Sequence, residues 1–242
     1  MELCVMTFNI RHGKGMDGKV DLRRIAAVIK QSGADIIGLN EVDRYFSRRS
    51  HYEDQIGWLA RELRMHHAFS PSVSWRAKQP GVIRQYGNGL LSRYPITARQ
   101  HHALRAALGM GEGRSVLEAI VSVHGQPLAV YVTHFSLNPL LHRKQTDFLI
   151  ERLHRQSVPF LVMGDWNMRP GSRPWQRMAR EADDIWKKVG TGSGDTYPSL
   201  RPRRRLDYIF VSRQLHAAGA QVVTIMPTAS DHLPLKAVLR LG

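Results

Sequence analysis

The sequence predicts an α/β fold built of two packed, mixed β-sheets with helices on their outer faces. Three observations lead there. Short apolar runs outnumber amphipathic helical segments. Several of these runs, ADIIGL and FLVM among them, are apolar at both parities, as strands covered on two sides are. A turn, His124-Gly125-Gln126, joins two runs directly as a hairpin, so the sheets are not purely parallel. Two facing sheets suit this pattern better than a single doubly wound sheet. At 242 residues and 43% apolar content the chain supports one large core, and one domain over residues 1–242 is expected.

In chain order, Leu3–Asn9 reads as the first strand. Asp21–Gln31 reads as a helix, with Leu22, Ile25, Val28 and Ile29 on one face, Asp21 as its cap and Gly33 just past its end. Ile36–Glu41 is a strand, and Asp54–Arg64 a second helix with Ile56, Leu59, Ala60 and Leu63 aligned. The polar stretch Phe69–Tyr86 reads as a long loop. Gly89–Ser92, Val116–Val123 and Leu128–Phe135 read as strands, and Leu141–Leu153 as a third helix carrying Gln145, Phe148, Leu149 and Leu153 on one face. Phe160–Gly164 is a strand, Gly190–Arg205 a second long loop, and Leu206–Ser212, Ala220–Ile225 and Leu235–Leu239 the closing strands. Loops of that length in a compact fold are often functional.

Lys and Arg number 35 against 20 Asp and Glu, a formal charge of +15. Such a balance favours polyanionic partners: nucleic acid, anionic lipid head groups or phosphorylated small molecules. The one cysteine, Cys4, lies in the first apolar run and excludes both a disulfide framework and a zinc-cysteine motif. No charged leader with an apolar core and no membrane-length apolar stretch is visible, which implies a cytoplasmic protein.

Polar residues recur where apolar runs end. Asn9 closes LCVMTFN, Glu41 closes IIGLNE and His134 closes AVYVTH. Asp165 and Asn167 close FLVMGDWN, Asp207 opens LDYIFVS, and Asp231 and His232 precede the last strand. Strand ends are rigid, so such groups are held at fixed separations. Asp165 and Asn167, two apart, point to one side of an extended segment, although Asp-x-Asn is also a common turn. A carboxylate such as Glu41 on an apolar strand must be exposed, paired or metal-bound. Asn9 offers a carbonyl oxygen suited to a hard cation. His232 beside a carboxylate is the usual tunable acid–base group. Together these residues can hold a divalent cation and cleave a phosphate ester.

The ordered set TFNIRHG, GLNEVD, YGNGLLSRYPI, VTHF, MGDWNMRP, RRLDYIFVS and SDHLPL resembles the endonuclease/exonuclease/phosphatase superfamily over nearly the whole chain. That resemblance implies a four-layer α/β sandwich with the site at one end, and Mg²⁺ or Mn²⁺ as cofactor. It implies Glu41, helped by Asn9, as the principal metal ligand and Asp231 as a further metal or water contact. Asp165 would position or deprotonate water, Asn167 would donate to the phosphate, and His232 would be the catalytic histidine, paired with Asp207. His134 would contact phosphate. Asn88, Arg114 and Arg11 are substrate-side candidates. Arg11 stands where abasic-site nucleases carry an Asp, which removes a second metal contact and turns Arg11 toward substrate or solvent.

The expected activity is phosphoester hydrolysis, foremost as a phosphodiesterase on nucleic acid. That choice rests on the net charge and on basic runs such as Arg203-Arg204-Arg205, Arg48-Arg49 and Arg143-Lys144. Phospholipid head groups or small phosphorylated metabolites are the second reading. A non-catalytic basic nucleic-acid-binding module is the third, and the retained Glu41, Asp165, Asn167, Asp207 and His232 argue against it.

Overall fold

The computed structural model describes residues 2–104 and 113–240. Its first half runs β1 (Glu2–Asn9), α1 (Leu22–Ser32), β2 (Ile36–Arg44), α2 (Gln55–Leu63), β3 (His66–Arg76), β4 (Ile83–Ser92) and β5 (Ile96–Leu104). Then come β6 (Arg114–Val123), β7 (Gln126–His134), α3 (Pro139–His154), β8 (Phe160–Asp165), α4 (Arg173–Glu181), β9 (Asp183–Asp184) and α5 (Ile185–Val189). The strands β10 (Asp207–Val211), β11 (His216–Val222) and β12 (Leu235–Arg240) close the chain.

The strands form two six-stranded mixed sheets, ordered β11-β12-β1-β2-β4-β3 and β5-β6-β7-β8-β10-β9. Each has one interior parallel pair, β1 with β2 and β7 with β8, and antiparallel neighbours elsewhere. A parallel pair needs a crossover, and α1 and α3 supply the two. The sheets therefore share one topology, and the carboxyl ends of both parallel pairs meet at one end of the molecule.

Side-chain parity makes the layers. Val130 and Val132 of β7 join Val5, Ile36, Met163 and Ile209 in the apolar layer between the sheets. Tyr131 faces the other way, toward Leu149 and Leu153 of α3. Met6 and Phe8 of β1 pack on Ile25 and Ile29 of α1 and on Ile56 and Leu59 of α2. The order is helix, sheet, sheet, helix, the four-layer sandwich expected. No helix among the described residues is long and apolar enough to cross a membrane.

The helix signals hold to within a turn. Asp21 accepts from the N–H of Arg23 at the start of α1, and Gly33 ends that helix in the left-handed conformation. Asp54 caps α2 through the N–H of Gly57. The third helix begins earlier than expected, because Asn138 caps it and Pro139 occupies its first position. The hairpin turn carries positive φ at His124 and Gly125, which matches the strand twist.

The structure differs from the sequence reading at several elements. Phe69–Tyr86 is mostly strand rather than loop, forming the end of β3 and the start of β4. There the sheet edge is polar and largely exposed, so the apolar signal is weak. The edge strand β5 escapes notice for the same reason. Helix α4 buries fully only Met178, so its charged face hides it. Strand β11 lies a few residues before Ala220–Ile225.

Two glycines record how close the layers come. A Cβ on Gly38 would lie 3.2 Å from the Met163 Cβ and 3.3 Å from the Val132 Cγ1, across the sheet interface. Gly164 has φ +151° and a Cβ there would lie 1.8 Å from the Thr133 carbonyl oxygen, inside the β7–β8 pair. Backbone cannot yield there without opening the ladder. Gly164→Ala is therefore expected to destabilise the fold by at least the about 1–3 kcal/mol of ordinary overpacking, read as a lowered denaturant midpoint.

Candidate active site

The carboxyl ends of the parallel strands deliver the polar groups. Asn9 lies in register with Asn40 on β2, and His134 with Asp165 on β8, while Asp207 of β10 faces Asp165 from the other side. Asn9 donates through Nδ2 to Glu41 Oε1 at 3.0 Å and to Asp165 Oδ2 at 3.1 Å, so it links the two sheets. Asn40, which the sequence reading passed over, is fully buried and does the same. Its Nδ2 donates to Asn88 Oδ1 at 2.8 Å and to the Thr133 carbonyl at 2.9 Å. Its Oδ1 accepts from the Asp165 N–H at 2.8 Å. The signal for it was present: a carboxamide inside a strand apolar on both faces must find partners.

Glu41 bulges within β2 in a left-handed conformation, φ 58°, where the strand slips register against β4 between Leu39 and Val42. Such irregularities re-aim a side chain, and this one turns Glu41 to Asn9. Burial pushes the Glu41 carboxyl up, and the nearby Asp231 adds to the rise, while the Asn9 amide lowers it. Asp231 also meets the Arg11 guanidinium, Nε to Oδ2 3.4 Å. Arg11 thus leans on an acidic neighbour in a tight turn with φ 47°.

The second cluster is buried. His232 Nδ1 donates to Asp207 Oδ2 at 2.8 Å, and the Thr196 hydroxyl donates to the same oxygen at 2.6 Å. The other Asp207 oxygen has no hydrogen-bond partner among the described residues. A buried carboxylate so thinly solvated holds a positive ring beside it. Burial alone would lower the His232 pKa, but the Asp207 and Asp165 charges outweigh it and raise it to about 10. His232 Nε2 stands 3.7 Å from Asp165 Oδ2, and Tyr197 packs on the ring at 4.9 Å. Both Thr196 and Tyr197 come from the loop Gly190–Arg205, whose role the sequence left open.

Asp165 is pinned by the Asn167 N–H on Oδ1 at 3.0 Å and by Asn9 on Oδ2. Burial pushes its carboxyl up to about 7, and Asp207 adds to the rise. His232 and the two N–H donors hold it down. Asp165 and Asn167 form the turn and the cluster at once: φ at Asn167 is 48°, and Trp166 between them is anchored by Phe135 and Phe210. Asn167 Nδ2 donates to the Phe135 carbonyl at 3.0 Å and to His134 Nε2 at 3.1 Å. The carbonyl requires an N–H there, so the amide orientation is set and His134 Nε2 is an acceptor. Burial lowers the His134 pKa well below its usual value, and the Arg114 and His232 charges lower it further.

Two groups stand differently from the sequence reading. Both amide hydrogens of Asn167 are engaged inside the protein rather than presented to a phosphate. Asn88, 1% exposed, accepts from Asn40 at Oδ1 and donates through Nδ2 to Ser115, so it braces the site from behind. The basic run is also corrected. Arg205 is buried, bonded to Asp184 through its two terminal guanidinium nitrogens, and stacked on Tyr208, so only Arg203 and Arg204 of the three are exposed. Arg114 lies close enough to Glu41 and His134 to shift both.

Glu41 and Asp231 offer carboxylate oxygens and Asn9 a carboxamide oxygen, which here accepts the Arg11 N–H at 3.1 Å while Nδ2 faces Glu41. That donor set fits a hard divalent cation. Asp165, Asp207 and His232 also place ligand-type atoms within 4.8 Å of one another. In that trio His232 Nδ1 is already engaged with Asp207 Oδ2 at 2.8 Å, which leaves Nε2 and the Asp165 carboxylate facing each other at 3.7 Å.

A raised histidine pKa adds stability that is fully present below about 6.5 and is lost as pH climbs through about 10. The imidazole resonances of His232 should therefore show the charged form at pH 8. In Asp207→Asn the titration should move to lower pH, because the carboxylate that sustains the charge is gone. An unmoved titration would remove Asp207 as the cause.

Residues 6–232 match the model of the Endonuclease/Exonuclease/phosphatase family. Comparison with curated protein sequences gives no significant match. A solved endonuclease/exonuclease/phosphatase from Beutenbergia cavernae DSM 12333 is similar at 28% identity and TM-score 0.86, over 100% of this chain and 72% of that one. A mannosyl-6-phosphatase from Bacteroides thetaiotaomicron VPI-5482 superposes with TM-score 0.80 at 17% identity, covering 99% of this chain and 100% of its own. The human Nocturnin catalytic domain, solved with a bound sulfate, does so with TM-score 0.69 at 18% identity, covering 100% and 95%. These last two likenesses concern the fold. The family match spans nearly the whole chain and takes in every strand end described above, and the protein belongs to the endonuclease/exonuclease/phosphatase family of phosphoester hydrolases.

Proposed function

We propose that the protein is a phosphodiesterase, dependent on Mg²⁺ or Mn²⁺, that hydrolyses nucleic acid within a single catalytic domain. The observation that carries the chemistry is the adjacency of a buried Asp165–His232–Asp207 array to the oxygen cluster of Glu41, Asp231 and Asn9. Glu41 and Asp231, with Asn9 beside them, would hold the cation, which would supply neutralisation of phosphate charge and stabilisation of the departing oxygen. Asp165, with a carboxyl poised near neutrality, takes a proton from the attacking water. His232, anchored through Nδ1 on Asp207, presents a charged Nε2–H to a phosphoryl oxygen as negative charge builds. Asn167 fixes the neutral His134 beside the phosphate, and Arg114 adds positive charge on the Glu41 side.

The polymer is favoured by the +15 charge and by exposed Arg203 and Arg204, four and three residues before Asp207. A specific feature favours the second reading, an amphiphilic phosphoester such as a phospholipid head group. A cavity of about 580 Å³ between α3 and α4 reaches Asn167 and is lined by the exposed Leu137 and Leu140 together with Arg143, Arg169 and Arg173. Such a lining takes an apolar group and an anion together.

The test is a parallel assay with Mg²⁺ and with Mn²⁺ on single- and double-stranded DNA, RNA, a lysophospholipid and a chromogenic bis-phosphodiester. His232→Ala should lose roughly two to four orders of magnitude in rate. Glu41→Ala should weaken Mn²⁺ binding, measured calorimetrically, by more than the roughly 10–100-fold that loss of an outer-shell partner costs. Unchanged Mn²⁺ affinity in that variant would move the cation elsewhere.

Salt separates the two substrate readings. Nucleic-acid affinity should fall with a log–log slope of about −0.7 to −0.9 per phosphate neutralised. A small ester should show a shallow slope. Replacing Arg203 and Arg204 with Ser, and leaving the buried Arg205 intact, should weaken polymer cleavage more than hydrolysis of the chromogenic diester. If neither falls, those arginines are solvated and the amphiphile reading leads.

A further inference from the structure

Beyond Glu41 the strands β2 and β4 continue outward and, with β3, raise a wall that the chemistry above does not use. Tyr45, Tyr52, Trp75 and Ile83 are exposed large apolar side chains on this wall. Trp75, 40% exposed, meets Phe46 at 4.7 Å between ring centres and 66° between planes. Phe46 in turn touches Tyr86 at 5.6 Å, and the Arg49 guanidinium lies 4.3 Å from the Phe46 ring centre. Arg49 is fixed by two hydrogen bonds to the fully buried Asp43, at 2.8 and 3.0 Å, so the cluster is held on the sheet rather than on a free loop. Arg84 lies 4.9 Å over the Tyr52 ring.

The electrostatics of the wall are one-sided. Arg49 is matched by Asp43 and Arg44 by Asp54, but Arg48, Arg76, Lys78 and Arg84 pair with no carboxylate among the described residues. Exposed aromatic rings interleaved with unneutralised guanidinium groups suit a partner with flat apolar faces and a polyanionic backbone. The wall is also within reach of the site. Trp75 lies in register with Arg84, while Asn88, four residues further along β4, braces Asn40 beside Asp165. That separation is about 13 Å at about 3.3 Å per strand residue.

We propose that Trp75 and Phe46, flanked by Arg49 and Arg84, form a stacking platform for an unpaired base of a single-stranded nucleic acid whose scissile phosphate lies between Glu41 and Asp165. This rests on the nucleic-acid reading above and deepens it. A platform reads the face of a base, and base pairing and stacking inside a duplex hide that face. The platform therefore selects single strands, frayed ends or loops and tolerates any sequence, because every base has a π-face.

The experiment measures binding of a fluorescein-labelled oligothymidylate, of a blunt DNA duplex and of phosphatidylglycerol vesicles in EDTA, and cleavage of both nucleic acids with Mn²⁺, for the wild type, Trp75→Ala and Trp75→Phe. Thermal unfolding checks that each variant is folded, and the Phe variant carries the test if the Ala variant is not. Single-strand affinity should drop roughly five- to a hundredfold in Trp75→Ala, in line with the loss of one stacked base. The salt slope should stay put, since no phosphate contact is removed. Trp75→Phe should retain most of the affinity, and duplex binding should barely respond. Unchanged single-strand affinity in a folded Ala variant overturns the platform, as does an equal loss on the duplex. With the Phe variant alone, weaker single-strand binding than duplex binding in the wild type overturns it. Loss of binding to anionic phosphatidylglycerol vesicles without loss of oligonucleotide binding overturns it in favour of a membrane surface. Absence of oligonucleotide cleavage by the wild type, with the chromogenic diester still hydrolysed, instead sinks the substrate reading, and the binding arm then judges the platform by itself.

Discussion

The Asn40 carboxamide is the contact on which the rest of the site depends. Apolar packing between the sheets is strong but non-directional, and it would tolerate small slides of one sheet over the other. Asn40 removes that freedom. Its two donors and its acceptor are all used, on Asn88 of its own sheet and on the Thr133 carbonyl and Asp165 N–H of the opposite one. A buried carboxamide that loses one of these partners bears the full cost of desolvation, so a shifted sheet is penalised several times over. Asn9 repeats the device one strand away by joining Glu41 to Asp165. The two sheets are thereby locked in register at the end where the chemistry lies.

That lock has electrostatic consequences. Asp165, Asp207 and His232 are nearly water-free, so each feels its neighbours at low dielectric. Asp207 and Asp165 together keep His232 charged, while the same burial keeps His134 neutral. The two histidines shift in opposite directions although both lie near Asp165: burial dominates at His134, with Arg114 and His232 adding to it, whereas at His232 the charges of Asp207 and Asp165 outweigh burial. The left-handed backbone at Glu41 and Asn167 is the conformational counterpart. Each is held against its intrinsic preference by hydrogen bonds that only the assembled sandwich provides.

Around this rigid centre the surface divides in two. On the side of α3 and α4 a cavity mixes leucines with arginines, and on the side of β3 and β4 an aromatic wall is laced with guanidinium groups. Both are basic, as the net charge requires, but they suit different organic groups attached to a phosphate. The scaffold is common to many phosphoester hydrolases, so the two proposed substrate readings differ in which of these flanks they use.

By itself the sequence determined the layers, the caps of the first two helices and which polar residues stand at strand ends. Strands such as Phe160–Gly164 and Leu128–Phe135 are apolar on both faces, and that local pattern can arise only under cover from both sides. Caps at Asp21 and Asp54 are local hydrogen bonds and are legible for the same reason. Polar residues at strand ends stand out against an apolar background, which is why Asn9, Glu41, Asp165, Asp207 and His232 could be named. Only the tertiary structure decided what each group faces. Asn40 looked like one more residue before Glu41, and its role depends on Thr133 and Asp165, more than ninety residues away. Thr196 and Tyr197 lie in a loop without periodicity, and only its path over the sandwich brings them to Asp207 and His232. Arg205 reads as one of three surface arginines until Asp184 draws it inside. Local signals are written in neighbouring residues, whereas pairing across sheets is a long-range property that no local pattern encodes.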